Sequence, residues 1–274
     1  MKEINFTKMV ASGNDFVVVD NRNHVMQDKI LPAAARKFCD RRYGIGADGL
    51  LLLEKSKKAH FKMRIFNPDG SEPSMCGNGL RCILLYAHKK GIAKNNIVVQ
   101  TKAGVLRGQI IKEKEVKTTM INPKGIMLDL HLALHGRQHA VSFINTGVPH
   151  VVSFVKDLNS ISVARVGAGI RYHKAFEPHG TNVNFVKILD KKNIRIRTYE
   201  RGVEAETLAC GSGATASAII FALKENTTSP VNVHTKSTEV LKVYFDILKD
   251  GKVVNVYLEG PANFVFNGRI NKNV

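Results

Sequence analysis

A chain of 274 residues, 44% of them hydrophobic, carries enough apolar material for one large or two ordinary domains. Lysine and arginine outnumber aspartate and glutamate 41 to 23, a formal charge of +18, which raises nucleic acid as a partner. The basic residues are dispersed, tryptophan is absent and no aromatic-and-basic stripe appears, so the charge reads as a basic surface with no nucleic-acid partner.

No apolar stretch approaches the ~20 residues of a membrane helix, so no membrane association is expected. Met1-Lys2-Glu3-Ile4-Asn5 runs into folded-looking sequence without the pattern of a signal peptide. The cysteines are Cys39, Cys76, Cys82 and Cys210, without C-x-x-C spacing, which argues against a metal site and a disulfide framework. A reducing, cytoplasmic location follows as the expectation.

Short strands are predicted at Ile4–Phe6 and Phe16–Asp20, then a helix over about Lys29–Arg42. Leu50–Leu53 reads as a buried strand, and Phe61–Phe66 alternates with period two. After Cys76, Leu80, Ile83, Leu84 and Ala87 follow helical spacing, and His88-Lys89-Lys90-Gly91 supplies a basic last turn and a glycine stop. Val98–Gln100 and Val105–Ile111 return to strand, and Glu115–Pro123 reads as a crossover. Strands follow at Val141–Asn145, Val151–Phe154, Phe185–Ile188 and Ile194–Tyr199, then a helix after Cys210 burying Ala214, Ala218, Phe221 and Ala222. Val231–His234, Val240–Ile247 and Val253–Leu258 complete the strands.

Cys76-Gly77-Asn78-Gly79 and Cys210-Gly211-Ser212-Gly213 lie 134 residues apart (210 − 76). Gly13 and Gly147 keep that offset, as do Asp48-Gly49-Leu50 and Asn182-Val183-Asn184. The strands Phe61–Phe66 and Asn193–Tyr199 fall in similar places. The expected architecture is therefore α+β: two similar, pseudo-dyad-related domains, each a barrel-like, mostly antiparallel sheet around a central helix. The boundaries are placed at 1–118 and 119–274, with the active site in the cleft between the halves.

Each motif puts a thiol at a helix start, where unpaired amides and the helix dipole favour a bound carboxylate and a thiolate. Inverting a carbon that bears hydrogen requires one group to remove the proton and another to return it on the opposite face. Cysteine suits both roles, because its reference pKa of about 8.5 lies near working pH. The flanking glycines let backbone amides approach a substrate closely and stabilise charge that develops as the proton leaves. Cys76 and Cys210 are thus the candidate acid/base pair, whereas Cys82, within the first motif's helix, and Cys39 read as structural. Gly44-Ile45-Gly46-Ala47-Asp48-Gly49 matches G-x-G-x-x-G, but a helical pattern precedes it and a strand follows, the reverse of a dinucleotide site. No lysine setting for pyridoxal phosphate is recognisable, so no cofactor is expected.

Gly13-Asn14-Asp15-Phe16, Gly44–Gly49, Phe66-Asn67-Pro68-Asp69-Gly70-Ser71, Met75–Cys82, Tyr199–Glu204 and Ala209–Gly213, in this order, closely resemble the diaminopimelate epimerases. The resemblance implies cofactor-free interconversion of LL- and meso-2,6-diaminopimelate in lysine and peptidoglycan synthesis, in the cytoplasm, by a homodimer. It also implies that the last strand, about 263–274, returns to the first domain. Carried over by motif, Cys76 and Cys210 are the acid/base thiols, and His150 and Glu200 orient or activate them. The amides of Gly77, Asn78, Gly211 and Ser212 hold the carboxylate at the reacting carbon. Asn14, Asn67, Asn182, Glu200 and Arg201 read the distal end, Arg201 pairing its carboxylate and Glu200 its ammonium. For Asn67 the alternative is turn chemistry before Pro68-Asp69-Gly70.

Three features depart from the common pattern: Val148 in place of asparagine before Pro149-His150, Gly49 in place of glutamine, and the lead-in Val10-Ala11-Ser12. They leave room for altered substrate choice. The alternative on the same fold is a racemase of proline, hydroxyproline or another amino acid, against which Glu200-Arg201 argues, since a monoacid has no second charged end. A thiol redox protein, with the two motif cysteines as a disulfide, is the other rival.

Overall fold

The structure is a computed structural model that describes residues 3–134 and 136–271. The chain divides into two compact units, Met1–Thr118 with Gly260–Val274, and Thr119–Glu259.

The first unit comprises β1 (Glu3–Ala11), β2 (Asn14–Asp20), α1 (Leu31–Cys39), β3 (Gly49–Glu54), β4 (Phe61–Phe66), α2 (Gly77–Lys89), β5 (Asn96–Thr101), β6 (Gly104–Ile110) and β7 (Glu115–Thr119). β1 and β2 form an antiparallel hairpin, β2 runs parallel to β3, β3 antiparallel to β4, and β4 parallel to β5. A parallel pair needs a crossover connection, and α1 and α2 supply the two. β5, β6 and β7 continue antiparallel. The last strand, Asn263–Asn271, pairs antiparallel with β1, Glu3 opposite Asn271; residues 272–274 of the predicted strand lie outside the described residues.

Every residue of β3 is buried, as expected of a strand in a parallel pair covered on both faces. Leu51 and Leu53 pack into the core around α2 with Phe16 and Val18, while Leu50 and Leu52 pack with α1. Ten consecutive residues of α2, Asn78–Ala87, are buried, so this helix is enclosed on all sides rather than amphipathic.

The second unit repeats the plan with β8 (Lys124–Leu134), β9 (Arg137–Asn145), β10 (Pro149–Phe154), α3 (Val163–Arg171), β11 (Asn182–Ile188), β12 (Asn193–Glu200), β13 (Ala205–Thr207), α4 (Gly211–Glu225), β14 (Val231–His234), β15 (Val240–Ile247) and β16 (Val253–Pro261). β10 is parallel to β11 and β12 to β14, with α3 and α4 as the crossovers; β11–β12, β14–β15 and β15–β16 are antiparallel. Gly213–Ala222 of α4 are all buried, matching the enclosure of α2.

The elements differ from the sequence expectations in several places, among them β8 and β13, where no strand was expected. The helix expected over Lys29–Arg42 ends at Cys39, because Asp40 leaves helical geometry (ψ 125°) and its carboxylate accepts the amides of Arg42 and Tyr43. Glu115–Thr119, expected in a crossover, is a strand paired with β6. Helix α3 carries Gly167 and Gly169, which weaken its sequence signal. Both are required by packing: a Cβ at Gly167 would lie 2.6 Å from Tyr199 Cβ, and one at Gly169 2.7 Å from Leu134 Cδ1.

Candidate active site

In the first unit, Cys76 is the N-cap of α2, extended at φ −141°, ψ 121°. Its Sγ accepts the Gly79 amide at 3.5 Å, so the sulfur does the work that Ser or Asp does at an ordinary N-cap. Gly77 opens the helix with no atom within 4 Å of the Cβ position, whereas a Cβ at Gly79 would lie 3.1 Å from Leu51 Cδ2. The second glycine is thus fixed by packing, and the first faces open space.

The Asn78 side chain is held at both ends. Its amide nitrogen donates to Asn14 Oδ1, and its Oδ1 accepts from Arg81 at 2.8 Å. Buried Arg81 also donates to Ser12 Oγ at 2.8 Å and to the Pro261 carbonyl. Asn14 donates in turn to Asp48 Oδ2 at 3.1 Å, and Arg41 bridges Asp48 and Asp15. Burial alone would raise the Asp15 carboxyl, but hydrogen bonds and charge from Arg41 and Lys8 hold it well below the usual carboxylate range. Asn14 is therefore anchored to the ion-paired cluster of Asp48, Arg41 and Asp15. Asn67 sits half-buried in its turn, where its side-chain amide donates to Ser71 Oγ at 3.0 Å.

In the second unit, Cys210 is the N-cap of α4, also extended (φ −125°, ψ 112°). Its Sγ lies 3.4 Å from Ser212 Oγ, which lies 3.0 Å from His150 Nε2. His150 Nδ1 is 3.1 Å from Asn184 Nδ2, and that amide group also donates to the Val151 carbonyl at 3.0 Å. His150 is fully buried; burial, helped by the positive charge of Arg201, lowers its pKa to about 3 and leaves the ring neutral.

Asn182 donates to the Pro149 carbonyl and accepts the Arg201 amide, both at 2.9 Å, tying the start of β10 to the turn after β12. Arg201 donates through its guanidinium to the His179 carbonyl at 3.0 Å. Glu200, at the end of β12, has its carboxyl pushed up by burial, with the Thr207 hydroxyl acting in the opposite direction.

The structure brings Cys210, Ser212 and His150 into one chain of contacts and joins Asn14 to Asn78; Cys39 and Cys82 are buried in the cores, the Cys39 thiol pushed up to about 12 by burial. Sequence reasoning missed Asn184 and the side-chain roles of Asn78, Arg81 and Ser212. One signal was readable: Asn182 and Asn184, two apart, fall on the same face of a strand, where β3 has Gly49 and Leu51.

Two thiols at the N-caps of two enclosed helices, in units of one plan, agree with the sequence comparison, which matches the family described as Diaminopimelate epimerase over residues 6–125 and 142–265. The chain belongs to the diaminopimelate epimerase family. Family members named diaminopimelate epimerase include the protein of Aquifex aeolicus, 41% identical over 98% of both chains. That of a Hydrogenobaculum species is 40% identical over 98% of this chain and 99% of its own. Among solved structures, a PhzF-family phenazine biosynthesis protein of Bacillus anthracis superposes with a TM-score of 0.76 at 17% identity, over 99% of this chain and 100% of its own. A hydroxyproline epimerase from Agrobacterium vitis gives 0.69 at 13% identity, over 98% and 92%. These two share the two-domain diaminopimelate epimerase fold with this family member; at such identities the likeness concerns fold alone.

Proposed function

We propose that this protein interconverts LL- and meso-2,6-diaminopimelate, with Cys76 and Cys210 as the two bases. The observation that carries the reading is the matched placement of the two thiols, each an extended N-cap of an enclosed helix whose first residue is glycine. One thiolate removes the α-proton and the other thiol delivers a proton to the opposite face. The first amides of α2 and α4, from Gly77, Asn78, Gly211 and Ser212, bind the α-carboxylate and stabilise charge as it shifts off the carbon. Catalysis then needs neither metal nor cofactor.

The distal ammonium and carboxylate fall to Glu200 and Arg201, with Asn14, Asn67 and Asn182 shaping that end. The carboxylate form of Glu200 is required for the ammonium contact, which offsets the burial that raises its carboxyl. His150 acts through Ser212 on Cys210. The relatives' shared name supports a place in lysine synthesis. A role in peptidoglycan synthesis, a cytoplasmic location and a homodimer belong to the proposal through the resemblance read from the sequence.

The test is incubation of reduced protein with LL-diaminopimelate in deuterated water. The expected result is meso product carrying deuterium at Cα, and at least ~100-fold slower epimerisation in both Cys76→Ala and Cys210→Ala. No exchange by the reduced wild type would overturn the substrate assignment and direct the search to other amino acids. Activity that required oxidised thiols would overturn the proton-transfer reading.

A further inference from the structure

The two units place different chemistry at matching positions beneath their helix starts. In the first unit Phe16 pairs with Gly49 across β2 and β3; in the second His150 pairs with Asn182 across β10 and β11. Two residues further along the second strand of each pair stand Leu51 and Asn184. Each underlies the second glycine of its motif: a Cβ at Gly79 would lie 3.1 Å from Leu51 Cδ2, and one at Gly213 only 2.3 Å from Asn184 Oδ1. Where the first unit fills this place with phenylalanine and leucine, the second buries histidine and asparagine, both fully inaccessible. Burial of polar groups opposes folding unless every one is hydrogen-bonded, so packing alone does not account for the exchange.

The hydrogen bonds specify a direction. The Val151 carbonyl can only accept, so the Asn184 group facing it at 3.0 Å is the NH2. Thr198 Oγ1 donates to Asn184 Oδ1 at 3.0 Å, which fixes the amide from its other side. The second amide proton of Asn184 therefore points at His150 Nδ1, which must be the bare nitrogen. The ring proton then sits on Nε2 and donates to Ser212 Oγ. With its oxygen already accepting, the Ser212 hydroxyl has its one proton left for Cys210 Sγ. In the other tautomer, bare Nε2 would take that proton and the sulfur would lose the hydrogen bond from Ser212.

We infer that Asn184 is a positioning residue that locks His150 as the Nε2–H tautomer, so that Ser212 is committed to donating a hydrogen bond to Cys210. As a statement about catalysis this rests on the two-thiol reading above; as a statement about hydrogen bonds it does not. Gly213 belongs to the same device, since any side chain there displaces Asn184. Arg201 is the charged group whose field reaches His150.

The experiment uses the full-length protein labelled with 15N at histidine, with His150→Gln to assign the ring signals. Wild type is expected to show a pyridine-like Nδ1 and a protonated Nε2 for His150. Asn184→Asp, whose carboxylate only accepts, is expected to place a proton on Nδ1. In parallel, the pH dependence of iodoacetamide alkylation is read by peptide mass spectrometry at each cysteine. Losing a hydrogen bond to the thiolate is expected to raise the Cys210 midpoint by about one pH unit in Asn184→Ala and in Gly213→Ala. The double variant is expected to show little further shift, and the Cys76 midpoint to stay in place. A proton on Nδ1 in the wild type overturns the inference, as does an unchanged Cys210 midpoint in Asn184→Ala. If that variant fails to fold, the wild-type tautomer decides alone. No diaminopimelate is used, so failure of turnover on that substrate leaves the outcome unaffected.

Discussion

At the residue scale, His150 makes stability depend on pH. An unfolded histidine titrates near 6.5, whereas burial lowers His150 in the folded chain to about 3. Between those values the unfolded chain binds the extra proton, so the stability present above pH 6.5 is lost as pH falls, at up to ~1.4 kcal/mol per unit. From pH 6.5 to 5 the His150 share amounts to about 2 kcal/mol. Urea unfolding at the two pH values is expected to show a shallower dependence in His150→Gln than in wild type; equal slopes would mean that the buried ring is not neutral. Buried Arg81 offers a second test, as it holds Ser12 and Asn78. Arg81→Met leaves both without that donor, an expected loss of about 1–3 kcal/mol per orphaned buried group, read from the same unfolding curves. The two motif cysteines were legible as candidates because glycines one and three positions after each are a poor setting for a core thiol. Asn184 was not, because its meaning lies in partners on other strands.

At the element scale, the glycines separate structural from functional demand. Gly167→Ala pushes a methyl into Tyr199, at 2.6 Å, and is expected to cost about 1–3 kcal/mol of stability while the folded fraction keeps its turnover. Gly77→Ala meets no atom within 4 Å and is expected to leave the melting temperature unchanged or slightly higher. Its turnover is expected to drop, because the methyl occupies the space through which the first amides of α2 reach a ligand. Thermal unfolding and epimerisation assays on both variants check the contrast; a fully active Gly77→Ala would remove that helix start from the carboxylate site. Most strands and the two enclosed helices were readable, because apolar periodicity and motif position coincide there. Helix α3 was hidden by the very glycines that let it lie close to Tyr199 and Leu134.

At the scale of the whole molecule, the chain closes its first unit with its last strand. β1 lies between β2 and Asn263–Asn271, and Phe6 meets Phe266 edge to face at 5.9 Å. A chain ending at Ala262 leaves β1 without that neighbour. Hydrogen exchange is expected to show lost protection in β1, from Ile4 through Lys8, although the deletion lies more than 250 residues away. Unchanged protection there would mean that β2 alone holds β1.

The sequence by itself determined the duplication, the position of each thiol at a helix start and the family. These are local properties: glycine, a cap residue and an apolar run act within one or two turns of chain. The tertiary structure alone decided what stands behind the contact between Cys210 and Ser212. Ser212 meets His150 across 62 residues and His150 meets Asn184 across 34. Such meetings depend on strand register, where a slip of one residue turns every side chain to the opposite face. The same register sets Leu51 beneath Gly79 and Asn184 beneath Gly213, so one duplicated backbone holds an apolar core in one unit and a polar relay in the other.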